Sequence, residues 1–107
     1  MRTIVKYEFD DQSFFPDDFQ GPRFVKLLDP PVIPATGDSV HLRMEEFFDD
    51  ADLIRNFEEK SDGIVYYADR MNTIIGKETI EVVIVLYEEV DFKTFFPHFF
   101  KADTNVV

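Results

Sequence analysis

Apolar and polar residues alternate along two early stretches of the chain, residues 3–9 and 39–45. A period of two residues is typical of a β-strand with one buried face. A third stretch, residues 23–28, is bounded by turn residues and a pair of prolines, and it also predicts a short strand. The inward side chains that we predict for residues 3–9 and 39–45 are Thr3, Val5, Tyr7, Phe9, Val40, Leu42 and Met44.

Residues 50–60 carry a helical pattern instead. Leu53, Ile54 and Phe57 form a narrow apolar stripe at helical spacing. An aspartate at position 49 or 50 can accept hydrogen bonds from the free N–H groups of the first turn. The Ser-Asp-Gly sequence at residues 61–63 ends the pattern, so we predict one short helix here.

A long β-hairpin is predicted for residues 64–75 and 78–89, which flank Gly76-Lys77 as a two-residue turn. The second strand is apolar on both faces, which favours a place inside the sheet. In this register Asp69 falls among core positions, where an unpaired carboxylate costs several kcal/mol. We therefore favour a β-bulge near residues 68–70 that turns Asp69 outward. The predicted core face is Val65, Tyr67, Met71, Ile80, Val82, Ile84 and Leu86.

These elements predict a mainly β protein. Its fold class would be an antiparallel curled sheet or small, partly open β-barrel, with one short helix and the long C-terminal hairpin. The length of 107 residues predicts a single domain over residues 1–107. We expect residues 101–107 to be a frayed tail.

Charge and cysteine content narrow the classes of function. The chain has 22 acidic and 11 basic residues, a formal net charge of -11, and no cysteine. Direct binding to nucleic-acid phosphates or anionic membranes is therefore disfavoured, and disulfide or thiolate chemistry is excluded. No apolar segment is long enough for a signal peptide or a membrane span, so we expect a cytoplasmic protein.

Motifs for catalysis and cofactor binding are missing from the sequence. Its two histidines, His41 and His98, lie far apart, and no nucleophile elbow surrounds a serine. Glycines are too scattered for a phosphate-binding loop, and the aspartate pairs lack the spacing of a calcium loop. We predict no catalytic, cofactor or metal residues, and the sequence favours a protein that is not an enzyme over one that is.

Thirteen phenylalanines, eight of them in four Phe-Phe doublets, are many for a core of this size. We expect doublets at element ends to place one ring inward and one near the surface. The C-terminal rings recur at helical spacing, with Pro97 separating two short turns. That segment either closes an open end of the sheet or anchors a partner. Together with an acidic group near residue 50, it makes up our candidate partner-binding set: Phe92, Phe95, Phe96, Phe99, Phe100, Glu45, Glu46, Asp49 and Asp50.

The sequence thus favours a protein–protein interaction module that self-associates or serves as a subunit of a larger assembly. One alternative is an acidic mimic of nucleic acid that uses the carboxylates of residues 45–59 to inhibit a basic protein. A second is a small ligand-binding barrel or enzyme around His41, Asp69 and the Tyr66-Tyr67 pair. That alternative requires a concave pocket that touches His41 or Asp69.

Overall fold

The structure is a computed structural model that describes residues 1–101, with the side chains of residues 1–99. Apart from Lys101, the tail predicted to fray lies outside the described residues. The elements are β1 (Arg2–Phe9), β2 (Phe24–Leu28), β3 (Ser39–Val40), a 3-10 turn (Met44–Glu46), α1 (Ala51–Ser61), β4 (Tyr66–Ile75), β5 (Thr79–Glu88), α2 (Glu89–Phe95) and α3 (His98–Lys101).

One five-stranded sheet, in the order β2-β1-β5-β4-β3, curls into a half-barrel. The predicted fold class, mainly β with a curled sheet, is confirmed, and β5 lies inside the sheet as its apolar faces indicated. One pairing differs from the antiparallel prediction, because β1 runs parallel to β5 with Val5 opposite Val82. These two strands are far apart in sequence, so no short turn constrains their relative direction.

The main core lies on one face of this sheet, called here the α1 face. Val5, Tyr7 and Phe9 of β1 are all buried there, as their alternation predicted. Leu53 and Phe57 of α1 pack into the same cluster and confirm the apolar stripe of the helix. The helix begins after Asp50, whose Oδ1 accepts a hydrogen bond from the N–H of Leu53 at 3.0 Å.

The third predicted strand is shorter than its pattern suggested. Only Ser39 and Val40 pair with β4, and the chain then enters the 3-10 turn. Leu42 and Met44 are nevertheless buried, so the predicted inward direction of their side chains is right, although the strand ends before them. The N–H groups of Phe47 and Phe48 both bond to the Met44 carbonyl, and this turn ends the extended backbone.

The hairpin register was wrong in two places. Ile75 pairs with Ile80 and the N–H of Gly76 bonds to the Thr79 carbonyl, so the turn is centred on Lys77 and Glu78, one residue later than predicted. A bulge lies between Arg70 and Asn72, next to the predicted place. Because of this bulge, the residues of β4 that precede it face the opposite side of the sheet from the one predicted. Tyr66 and Ala68 are therefore in the core, whereas Val65 and Met71, two predicted core residues, are exposed.

The first Phe-Phe doublet also departs from its prediction, because both of its rings are buried. Phe14 packs edge-on against Phe9 at 5.0 Å and against Phe57 at 4.9 Å between ring centroids. Phe15 stacks on Phe14 and meets Phe48 at 5.8 Å. The loop after β1 folds over the end of the α1-face core, and this long-range contact buries the ring expected near the surface. The doublet at 47–48 behaves as predicted, with Phe48 buried and its neighbour exposed.

Candidate interaction surfaces

Helices α2 and α3 pack on the other face of the sheet, called here the α2 face. Phe92 is fully buried there. Its ring stacks on Tyr67 at 5.3 Å and on Phe96 at 4.7 Å. Tyr87 of β5 lies 6.4 Å from Phe92 and completes the contact with the sheet. Phe92 therefore anchors the C-terminal segment to its own sheet. Of the two predicted alternatives, this contact belongs to the one in which the segment packs on its own domain.

Two rings of this segment remain in contact with solvent. Phe95 is 60% exposed and Phe99 is 42% exposed. Between ring centroids, Phe95 lies 5.6 Å from Tyr87 and Phe99 lies 5.5 Å from Phe92. We call these two exposed rings and the half-buried Phe96 between them the aromatic surface. The side chain of Phe100, the last aromatic residue of the candidate set, lies outside the described residues.

The break between the helices sets the position of these rings. Phe96 has φ −129° and ψ 59°, outside the helical region, because Pro97 follows it. Its N–H still bonds to the Phe92 carbonyl at 2.8 Å and so ends α2. The chain restarts as α3 at His98, so Phe95 and Phe99 lie on separate short helices that flank one buried anchor.

The carboxylates of Asp10 and Asp69 lie near Tyr87, whose ring contacts Phe95 and Phe96, and the carboxylate of Asp91 lies near Asp10. Burial raises the pKa of Tyr87, and the charges of Asp10 and Asp69 raise it further. Burial also raises the pKa of Asp10, together with the charges of Asp91 and Asp11. Among the side chains of residues 1–99, no basic group forms an ion pair with any of the three. The bulge turns Asp69 to this face, opposite Val85, as predicted.

The acidic part of the candidate set lies elsewhere. Glu45 and Glu46 are exposed on the 3-10 turn, which packs over the α1 face through Met44. Asp49 is exposed, but Asp50 serves as the cap of α1. The acidic and aromatic residues thus lie over opposite faces of the sheet. They do not form one continuous surface.

A charged cluster that sequence reasoning missed joins the ends of α1 and β5 to the loop after β1. Lys60 Nζ lies 2.8 Å from Asp11 Oδ2 and 3.4 Å from Glu88 Oε1. The second contact is an ion pair without hydrogen-bond geometry. Beside it the hydroxyl of Tyr66 has no hydrogen-bond partner among the described residues. Burial, followed by the charge of Glu88, raises the pKa of Tyr66 to about 12. The cluster joins residues 49 positions apart, so no local pattern could reveal it.

This cluster predicts a measurable dependence of stability on pH. The hydrogen bond from Lys60, then that from Ser13, lowers the pKa of Asp11 from 3.8 to about 2. Its contribution to stability is therefore complete above pH 3.8 and is lost as the pH falls through 2. The Asp11 side chain is 39% exposed, so solvent screening limits the contribution to about 1 kcal/mol.

Urea denaturation at a series of pH values would check this expectation. The stability difference between the wild type and Asp11→Asn should shrink as the pH falls from 3.8 toward 2. Asp17→Asn, at an exposed carboxylate in no ion pair among the described residues, serves as the control. A constant difference for Asp11→Asn would contradict the role assigned to the Lys60 contact.

The surface also has shallow clefts. One of about 300 Å³ is lined by Ser39, Val40, His41, Ile64, Val65 and Tyr66. It includes His41 and Tyr66 of the ligand-barrel alternative but not Asp69. Among the described residues, no group of three or more potential metal ligands comes together. No helix in the described part of the chain is long and apolar enough to cross a membrane.

Comparisons with models of protein families, with curated proteins and with solved structures find no match for this chain. The class that the fold defines is therefore a mainly β protein with a curled, mixed five-stranded sheet. Function has to be argued from its surfaces.

Proposed function

We propose that this protein is a non-enzymatic interaction module whose aromatic surface binds a basic segment of another protein. The observation that carries the proposal is the combination of two exposed rings, Phe95 and Phe99, on helices held in place by the buried Phe92. Exposed rings on a fixed support are suited to become the buried centre of an interface, where aromatic side chains are enriched.

The carboxylates near Tyr87, a ring that Phe95 contacts, define the chemistry of the partner. Asp10, Asp69 and Asp91 are unpaired among the described side chains, and the net charge of -11 adds a wider negative field. An arginine of the partner can stack on an aromatic ring and donate hydrogen bonds to a neighbouring carboxylate. A second copy of this surface would bring like charges together. We therefore favour a different, basic protein here.

Binding of synthetic peptides, measured by fluorescence anisotropy, tests this proposal. A short peptide of alternating arginine and leucine should bind, and a peptide of alternating glutamate and leucine should not. The double variant Phe95→Ala/Phe99→Ala should weaken binding by about tenfold or more. Phe47→Ala removes a similarly exposed ring from a different place and should leave the affinity unchanged.

The same binding experiment also tests the contribution of charge to the affinity. Added salt should weaken binding of the basic peptide, and Asp69→Asn/Asp91→Asn should reduce that salt dependence. Equal affinity of the double phenylalanine variant and the wild type would contradict the role of the rings. A wild type that does not bind the basic peptide even at low salt would overturn the proposed partner chemistry.

The two alternative functions have less support. In a nucleic-acid mimic, the carboxylates of residues 45–59 would face the partner, but Asp50 caps α1 and Asp52 pairs with Arg55 at 2.6 Å. For a ligand-binding barrel, the shallow cleft at His41 supplies a concave site, but Asp69 does not line it. The lack of cysteine fits a reducing compartment, and we propose the cytoplasm as the place of action.

A further inference from the structure

The outer edge of β4 is open along its second half. β3 pairs only with Tyr66 and Tyr67, and the preceding loop bonds to the backbone of β4 no further than Arg70. Beyond that point, within the described residues, β4 has a strand neighbour only on its β5 side. Unpaired edges of this kind can pair with another chain, and native proteins usually cover them or place charged residues along them.

The hydrogen-bond pattern tells which backbone groups are free. The N–H of Gly76 donates to the Thr79 carbonyl on the β5 side. Two residues earlier, Ile74 turns its backbone groups to the same side, because direction alternates along a strand. Thr73 and Ile75 therefore direct their N–H and C=O groups outward, where they can bind a further strand.

This edge has three exposed apolar side chains and no acidic ones. Met71, Ile74 and Ile75 are all exposed, with Ile74 at 49%. Residues 70–77 contain Arg70 and Lys77 and no carboxylate, although the whole chain has a net charge of -11. Two copies of this protein can therefore approach each other here with much less repulsion than over the acidic segments.

We propose that β4 pairs with β4 of a second copy in antiparallel orientation, with the twofold axis beside Ile74. In this register Thr73 lies opposite Ile75 of the partner subunit, so the outward backbone groups meet. Ile74 faces its own copy in a pair that makes no backbone hydrogen bonds.

This dimer would join two half-barrels through one continuous sheet. The open edge is at the hairpin tip, whereas α2 stacks on Tyr67 at the other end of β4. The aromatic surface is therefore left free, and the dimer does not depend on the basic partner proposed above. It also gives a physical route to the self-association that the sequence favoured.

The chain has no cysteine, so a single introduced thiol can report on the contact. Facing residues in a pair of this type have Cα atoms about 4.5 Å apart, which a disulfide can bridge. Under mild oxidation, Ile74→Cys should form a covalent dimer at least about tenfold faster than Val32→Cys, because pairing raises the effective concentration of the thiol. Val32 is an exposed apolar residue in the loop between β2 and β3.

Sedimentation velocity on the unmodified chain supplies the second measurement. The sedimentation coefficient should rise with concentration, and Ile74→Lys should raise the dimer dissociation constant by about tenfold or more. Val32→Lys adds the same charge away from the edge and should not. Circular dichroism would confirm that both variants are folded. A monomer at all concentrations, or equal crosslinking of the two cysteine variants, would overturn the proposal.

Discussion

Replacing Phe92 with alanine is expected to lower the free energy of unfolding by about 3–5 kcal/mol. Phe92 is fully buried and its ring contacts Tyr67, Phe96 and Phe99. Truncation removes the ring that holds α2 and α3 against the sheet and leaves a cavity in its place. Urea denaturation followed by circular dichroism would measure the loss.

The matched control is Phe95→Ala, three residues along the same helix. Phe95 is largely exposed and touches mainly Tyr87, so its truncation should cost less than about 1 kcal/mol. The difference in cost between Phe92→Ala and Phe95→Ala distinguishes the buried residue that anchors the C-terminal segment from the exposed residue of the aromatic surface. Equal costs for the two variants would contradict that division.

Replacing Phe14 with alanine is expected to be as damaging, again by about 3–5 kcal/mol, although Phe14 lies in no helix or strand. Its ring is buried and meets Phe9, Phe15 and Phe57 within 5.0 Å between centroids. Aromatic pairs of this kind add to the effect of area burial alone. Chemical denaturation, with unfolding followed by circular dichroism, would check the value.

Phe47→Ala provides the comparison for Phe14→Ala, because Phe47 is 40% exposed at the end of the 3-10 turn. Its loss should cost about 1 kcal/mol or less. If both variants unfold at the same denaturant concentration, the loop after β1 does not complete the core as described.

Local patterns in the sequence predicted much of the sheet correctly. The alternation in β1 identified Val5, Tyr7 and Phe9 as core residues, and the apolar faces of β5 indicated its central place. These predictions succeeded because side-chain direction along a strand follows from its period of two residues. The cap at Asp50 succeeded for a similar reason, since it depends on a hydrogen bond to a residue three positions away.

Features that depend on distant parts of the chain were not predictable. Pairing of β1 with β5 joins the two ends of the sequence, and the parallel direction leaves no trace in either strand. The burial of Phe15 depends on Phe48 from another part of the chain. At the start of β4, residues 65–68, which precede the bulge, are apolar without alternation, so hydropathy alone did not show that Tyr66 and not Val65 faces the core.

The candidate site was predictable in its residues but not in its arrangement. Helical spacing and Pro97 predicted two short turns that bring the C-terminal rings together. Only the packing on Tyr67 and Tyr87 distinguishes the buried Phe92 from the exposed Phe95. The neighbouring carboxylates come from the loop after β1, from β4 and from α2, so their common position emerges only in the fold.

The most direct test of the account is a map, by chemical-shift perturbation in NMR, of where the arginine–leucine peptide binds. The perturbed amides should cluster on α2, α3 and the neighbouring parts of β4 and β5, around Phe95, Phe99 and Asp69. The amides of the 3-10 turn, on the opposite face, should be unaffected. Perturbations centred on that turn, or none at all, would contradict the assignment of the aromatic surface as the binding site.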